Sequence, residues 1–207
     1  MSREYLYMEI EMNTESPFVS GEIKQVHQER GAAKPVRKTA DGKVAAPIYG
    51  ALRAYLEKTL RAKGDTVCDS GKKTCGHCVL CNLFGSLGKG GRAVIDDLIS
   101  DKPASEIVKP VIHLRLNRED NTVADSLRQE EVQEAVVFKG RIIIDNPGDR
   151  DLTLIQTGIE AINEFGLGGW RTRGRGKVNM KITKVEKRNW ATFEEKGKEI
   201  ADKLLTP

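Results

Sequence analysis

No stretch of this sequence approaches the roughly 20 consecutive apolar residues that span a bilayer. The opening MSREYLYMEI lacks both the apolar core and the small-residue cleavage site of a signal peptide. A cytoplasmic protein without membrane partners is therefore expected. Histidine is scarce, three in 207 residues, and His27 and His113 stand isolated, whereas acid–base work needs partners within reach. There is no G-x-S-x-G, no H-E-x-x-H and no Walker loop, so nucleophilic and zinc-catalytic hydrolysis lack their parts. A strong excess of one charge is missing too. Thirty-four Lys and Arg against 30 Asp and Glu leave a net +4, so the distribution of charge must carry any argument about partners. No internal repeat or low-complexity tract competes with a single globular domain, and the length allows one with insertions.

What is present is concentrated. All four cysteines, Cys68, Cys75, Cys78 and Cys81, fall in a C-x6-C-x2-C-x2-C run, and clustering of this kind points to metal rather than to disulfides. Four thiolates satisfy a tetrahedral Zn²⁺ with no open position, so the site would be structural. His77 lies between the ligands and could replace one. An iron–sulfur cluster or four unligated cysteines are the alternatives; the missing Cys-Pro ending of a ferredoxin-type run favours zinc. The insertion has few apolar residues of its own, so metal binding energy would be its folding energy.

Periodicity outlines the rest. Leu6, Met8, Ile10 and Met12 alternate with Tyr5, Tyr7, Glu9 and Glu11, the pattern of a strand with one buried face. Residues 14–46 have no sustained period and carry Lys24, Arg30, Lys34, Arg37, Lys38 and Lys43 among prolines and glycines, as a long functional or solvated loop does. Ile48, Leu52, Tyr55, Leu56 and Leu60 recur at helical spacing between Pro47 and Lys63. Strands are expected at 93–95, 111–116, 135–145 and from 178, and helices over 152–165 and 192–205; residues 117–133 read as a charged, irregular excursion. The order strand, helix, strands, helix, strand predicts an α+β, ferredoxin-like split βαβ core with the layout of an RNA-recognition motif.

A second concentration runs from Gly166 to Lys177, where five glycines are interspersed with Arg171, Arg173, Arg175 and Lys177. Glycine lets backbone amides approach a phosphate, and the arginines supply forked donors. The bland alternative is a solvated basic turn; the bias of residues 166–188, eight Lys or Arg against Glu186 alone, favours phosphate. The loop follows a helix and precedes a strand, the reverse of a dinucleotide fingerprint. Asp96 and Asp97 are adjacent, so on a strand they would face opposite ways and not share one ion.

Three segments resemble the backbone subunits of type III CRISPR effector complexes in the RAMP superfamily. They are the loop from Gly168 and Gly169 through Val178, the Leu83-Phe84-Gly85-Ser86 segment followed by Gly91-Arg92, and the helix with Gly50 and Arg53. A four-cysteine knuckle before Leu-Phe-Gly is similar to the zinc-bearing members related to type III-D and III-E systems. The resemblance implies one RNA-binding domain over 1–207, with a basic loop at 14–46, a zinc-knuckle insertion at 64–86, a thumb-like insertion at 117–133 and a C-terminal helix at 192–205. It implies a subunit that polymerises along guide RNA beside other effector subunits and presents the guide for pairing with target RNA. Lys34, Arg37, Lys38, Arg53, Gly168, Gly169, Arg171, Arg173, Arg175 and Lys177 would be its RNA contacts.

Two departures from the family pattern follow. Active members cut target RNA with an aspartate in a Gly-x-Asp-x-Pro-Val-like setting, and here Gly31-Ala32-Ala33-Lys34-Pro35-Val36 has Ala33 at that position. Alanine neither binds Mg²⁺ nor moves a proton, so the chain as written is expected not to cleave, whether as a natural non-cutting copy or an inactivated form of a cleaving parent. The small hydroxyl residues expected before the first helix are replaced by Ala46 and Pro47. The rival readings are a metal-dependent endoribonuclease using another carboxylate such as Asp41, precursor processing with His27 as base, and a generic zinc-containing nucleic-acid-binding protein.

Overall fold

Burial in the first strand decides which side of the sheet becomes core. In the computed structural model, which describes residues 3–20, 35–120 and 122–205, β1 (Glu4–Thr14) buries Leu6, Met8, Ile10 and Met12 on one face. Tyr5 is buried on the other face, against the rings of Trp190 and Phe193.

The remaining elements, in chain order, are β2 (Lys43–Ala46), α1 (Tyr49–Ala62), α2 (Val79–Phe84), β3 (Gly85–Ser86), β4 (Lys89–Gly90), β5 (Ala93–Ile95) and β6 (Leu98–Pro103). Then come α3 (Ala104–Ile107), β7 (Val108–Leu116), β8 (Val123–Val132), β9 (Val137–Asp145), α4 (Asp151–Phe165), β10 (Val178–Asn189) and α5 (Ala191–Leu205). The main sheet runs β10-β1-β9-β6-β2, with β5 also paired to β9, and every pairing is antiparallel. β5 meets Ile142–Ile144 of β9 while β6 meets Phe138 and Lys139, so the two share one sheet position, interrupted at Asp96 and Asp97. The order fourth-first-third-second with two crossover helices is the ferredoxin-like arrangement.

Helices α1 and α4 bury Leu52, Leu56 and Leu60 with Leu154, Ile155, Ile159 and Ile162 in the core behind the sheet. Their close approach depends on Gly158, where a Cβ would stand 2.9 Å from Leu52 Cδ2. α1 begins at Tyr49, two residues after Pro47, with Ile48 as its cap.

Several elements depart from the sequence reading, among them β6, which it did not anticipate. Residues 117–133 are not irregular: β8 pairs antiparallel with β7 as a ribbon separate from the main sheet. Its base is pinned where Phe18 and Val132 exchange backbone hydrogen bonds of 2.9 and 2.8 Å. The strand expected from Ala135 starts at Val137, because Ala135 takes a left-handed φ of 59°. The loop at 14–46 holds the end of β1 and the whole of β2.

Candidate metal centre and RNA interface

The knuckle is built against α1. Arg61 of α1 donates from Nη2 to the Cys68 carbonyl at 2.6 Å, and Glu57 accepts from the Ser70 backbone N–H at 3.2 Å. The Tyr49 hydroxyl donates to the Phe84 carbonyl at 2.6 Å, beyond the last cysteine. Cys78 is the N-cap of α2, its sulfur accepting from the Cys81 N–H at 3.4 Å, while Cys75 accepts from the Cys78 N–H at 3.3 Å. Sulfurs held by backbone donors in this way are ready for the thiolate state.

The four Sγ atoms lie within 4.8 Å of one another. Cys68 stands 3.7 Å from Cys78 and 3.3 Å from Cys81, and Cys75 stands 3.9 Å from Cys81. A single tetrahedral ion with metal–sulfur bonds of about 2.3 Å holds its sulfurs roughly 3.8 Å apart. The residues therefore fit one metal ion, whereas a cluster of several iron and sulfide atoms would hold its thiolates further from each other. His77 turns away, its Nδ1 lying 2.9 Å from the Cys75 carbonyl oxygen. Burial pushes the Cys68 thiol up to about 11, while the N–H groups of His77 and Cys78 lower that of Cys75.

Arg53 has a different setting from the exposed phosphate donor that the sequence suggests. It is only 6% exposed. Its Nε donates to Glu57 Oε1 at 3.1 Å, its Nη1 to the Gly85 carbonyl at 2.6 Å and its Nη2 to Cys81 Sγ at 3.4 Å. Burial alone would favour losing the proton, but bonds to Glu57, Tyr49 and Cys81 more than reverse this and hold the guanidinium charged.

The glycine-rich loop begins where Gly166 caps α4 with a positive φ of 80° and ends at Gly176, φ 76°. Gly176 accepts from the Leu167 N–H and donates to the Pro17 carbonyl, both at 2.8 Å, and a Cβ there would stand 2.0 Å from the Leu167 oxygen. Gly168 carries φ 79°, and the Gly169 N–H donates to the Val19 carbonyl at 3.1 Å. The loop is thus tied to residues 17–19, directly after β1.

Its basic side chains fall into two groups. Arg171 and Arg173 are exposed and rest on rings: Arg171 over Tyr55, whose hydroxyl it also reaches, and Arg173 over Trp170 at 4.4 Å. Arg175 and Lys177 meet carboxylates, Glu131 at 2.9 Å and Glu15 at 3.0 Å. Trp170, left-handed at φ 62°, is also stacked by His113 from β7, with ring centroids 4.2 Å apart.

Glu131, 1% exposed, is the joint between ribbon and loop. Besides Arg175, its carboxylate lies 3.1 Å from His113 Nε2 and accepts from Gln129 Nε2 at 2.8 Å. The adjacent Glu130 points to the opposite face of the ribbon, where it accepts from the Val36 N–H at 3.0 Å and pairs with Lys38 at 3.1 Å. Both basic segments therefore converge on the base of the ribbon. Spacing alone carries no signal for this joint; the one available hint is a tryptophan inside a basic loop. Arg37 pairs with Asp97 and Arg141 with Asp96, so each member of that acidic pair has its own arginine. His27, Ala33 and Lys34 lie outside the described residues.

Among the described residues no helix is long and apolar enough to cross a membrane. A sequence profile of the RAMP superfamily matches residues 45–179, from β2 to the start of β10. The chain is 29% identical over 172 residues to the CRISPR system Cms endoribonuclease Csm3 of Methanothermobacter thermautotrophicus, an alignment covering 68% of this chain and 67% of that protein.

Proposed function

We propose that this chain, which belongs to the RAMP superfamily, is the guide-RNA-binding backbone subunit of a multisubunit type III-like CRISPR effector, holding guide RNA open for pairing with target RNA. The observation that carries the reading is the glycine-rich loop, where exposed Arg171 and Arg173 are held on aromatic rings; the amides of Gly166, Gly169, Gly174 and Gly176 are bonded within the fold, so the arginines are the phosphate donors. Lys38, Arg37 and Lys177 join them by exchanging carboxylates for phosphates. Exposed ion pairs contribute only about 0–1 kcal/mol, so the exchange costs little. Lys34, Gly168, Gly169 and Arg175 complete the set; Arg53 is left out of it because its guanidinium is buried and fully bonded.

In this reading the whole chain is one RNA-binding domain, working in the cytoplasm. Its insertion at 64–86 is stapled by structural Zn²⁺ on Cys68, Cys75, Cys78 and Cys81, and the ribbon of β7 and β8 serves as the thumb. The zinc supplies folding energy and no chemistry. As written the chain does not cleave, Ala33 standing at the position of the family aspartate.

The purified chain should bind RNA with a strongly negative salt slope, since each neutralised phosphate releases counterions. Arg171→Ala and Arg173→Ala should each make that slope shallower by about 1 and weaken binding across sequences alike. Unchanged slopes in both variants would remove the loop from the interface. The second reading, a metal-dependent endoribonuclease, is favoured by the name of the Methanothermobacter relative. It predicts target cleavage that requires Mg²⁺ and stops in EDTA, either in this chain or only after Ala33→Asp.

A further inference from the structure

We infer that Arg53 is a positioning residue of the metal centre, the buried cation whose forked N–H groups orient the sulfurs of Cys81 and Cys68 and offset the negative charge of the loaded site. The inference rests on the reading of the knuckle as a zinc site.

The geometry is specific. Nη2 stands 3.4 Å from Cys81 Sγ and 4.0 Å from Cys68 Sγ, on one side of the sulfur tetrahedron. The fork is aimed by two fixed acceptors, Glu57 Oε1 on Nε and the Gly85 carbonyl on Nη1. Glu57 is itself buried and clamped from the knuckle side by the Ser70 N–H. One helical turn, Arg53 to Glu57, thus touches the insertion at Ser70, Cys81 and Gly85.

Charge supplies the reason. A divalent ion on four thiolates carries a net charge of about −2, which a partly buried site must offset. Glu57, which Arg53 shares with Arg61 at 3.7 Å, answers only part of the guanidinium's charge. Hydrogen bonds to metal-bound sulfur draw electron density from it, and loss of such outer partners typically costs about 10–100-fold in metal affinity. Lysine would keep the charge and lose the fork.

The test is a competition titration of the full chain with Zn²⁺ and a chromophoric chelator, comparing wild type with Arg53→Met, Arg53→Lys and Glu57→Gln. Zinc affinity should fall about 10–100-fold in Arg53→Met and less in the other two. In the Co²⁺-loaded proteins the sulfur-to-cobalt charge-transfer band should move to lower energy when the N–H···S bond is lost, a change that mere loss of packing does not produce. If Arg53→Met does not fold, Arg53→Lys and Glu57→Gln decide by the same two readouts. Wild-type affinity and an unmoved band in the folded variants would overturn the inference. A wild-type chain that takes up no stoichiometric zinc would instead overturn the zinc reading on which it stands.

Discussion

Glu131 shows how much one carboxylate can organise. It is buried, yet Arg175, His113 and Gln129 all address it. Glu131→Ala should destabilise the chain by roughly 1–3 kcal/mol in urea unfolding, a modest range because Arg175 keeps access to water. Glu131→Gln should cost less, since the amide oxygen still accepts. Equal stability of Glu131→Ala and wild type would mean that the joint contributes nothing.

Asp145 carries a pH signature at the same scale. Its carboxyl is held below the ordinary carboxylate value, first by the hydrogen bond from Arg3 and further by the one from Trp190 Nε1 at 2.9 Å. A folded pKa below the unfolded one stabilises the fold above the unfolded value, and that contribution fades as pH falls through the folded one. Asp145→Asn should therefore be less stable than wild type at neutral pH, and the gap should close in acid. Chemical denaturation at the two pH values checks this; a gap that does not change with pH would contradict it.

Helix α1 serves two elements at once, its apolar stripe packing on α4 and its polar face carrying the knuckle. Gly158→Val should push α1 and α4 apart and cost about 1–3 kcal/mol by overpacking, seen as a lower Tm without loss of the metal. Removing the metal with a chelator should have the converse pattern. Amide exchange should rise sharply across residues 64–78 while β1, β9 and α2 stay protected, because α2 buries Leu80, Leu83 and Phe84 in the core and the residues before it depend on the metal. Uniform loss of protection would show instead that the knuckle and the sheet fold as one unit.

Elements with one buried face were legible in the sequence for that reason. β1, α1 and α4 show the periods of two and 3.6 because each turns a stripe to a common core. The grouping of the four cysteines was legible because its spacing is local. β8 was not, since VADSLRQEEV turns no stripe to the common core and the apolar residues of the ribbon, Ile112, Leu114 and Leu116, lie exposed on β7. Nor were the partners of Arg53 and Arg175, which meet Cys81 and Glu131 at separations of 28 and 44 residues through the tertiary fold alone.

For the whole molecule, a net charge of +4 is too small to gather RNA by itself. The proposed function places binding on the glycine-rich loop and the segment around Arg37 and Lys38, which the fold brings to the base of one ribbon. Under the proposed function copies would stand side by side along the guide, so assembly and RNA binding should depend on each other. The most direct measurement is to purify the chain together with the products of its neighbouring genes, wash at high salt, and sequence the RNA that remains. Discrete guides derived from CRISPR repeats are the predicted result. Heterogeneous RNA, or none, from the intact assembly would contradict the account and leave a zinc-containing nucleic-acid binder of another kind.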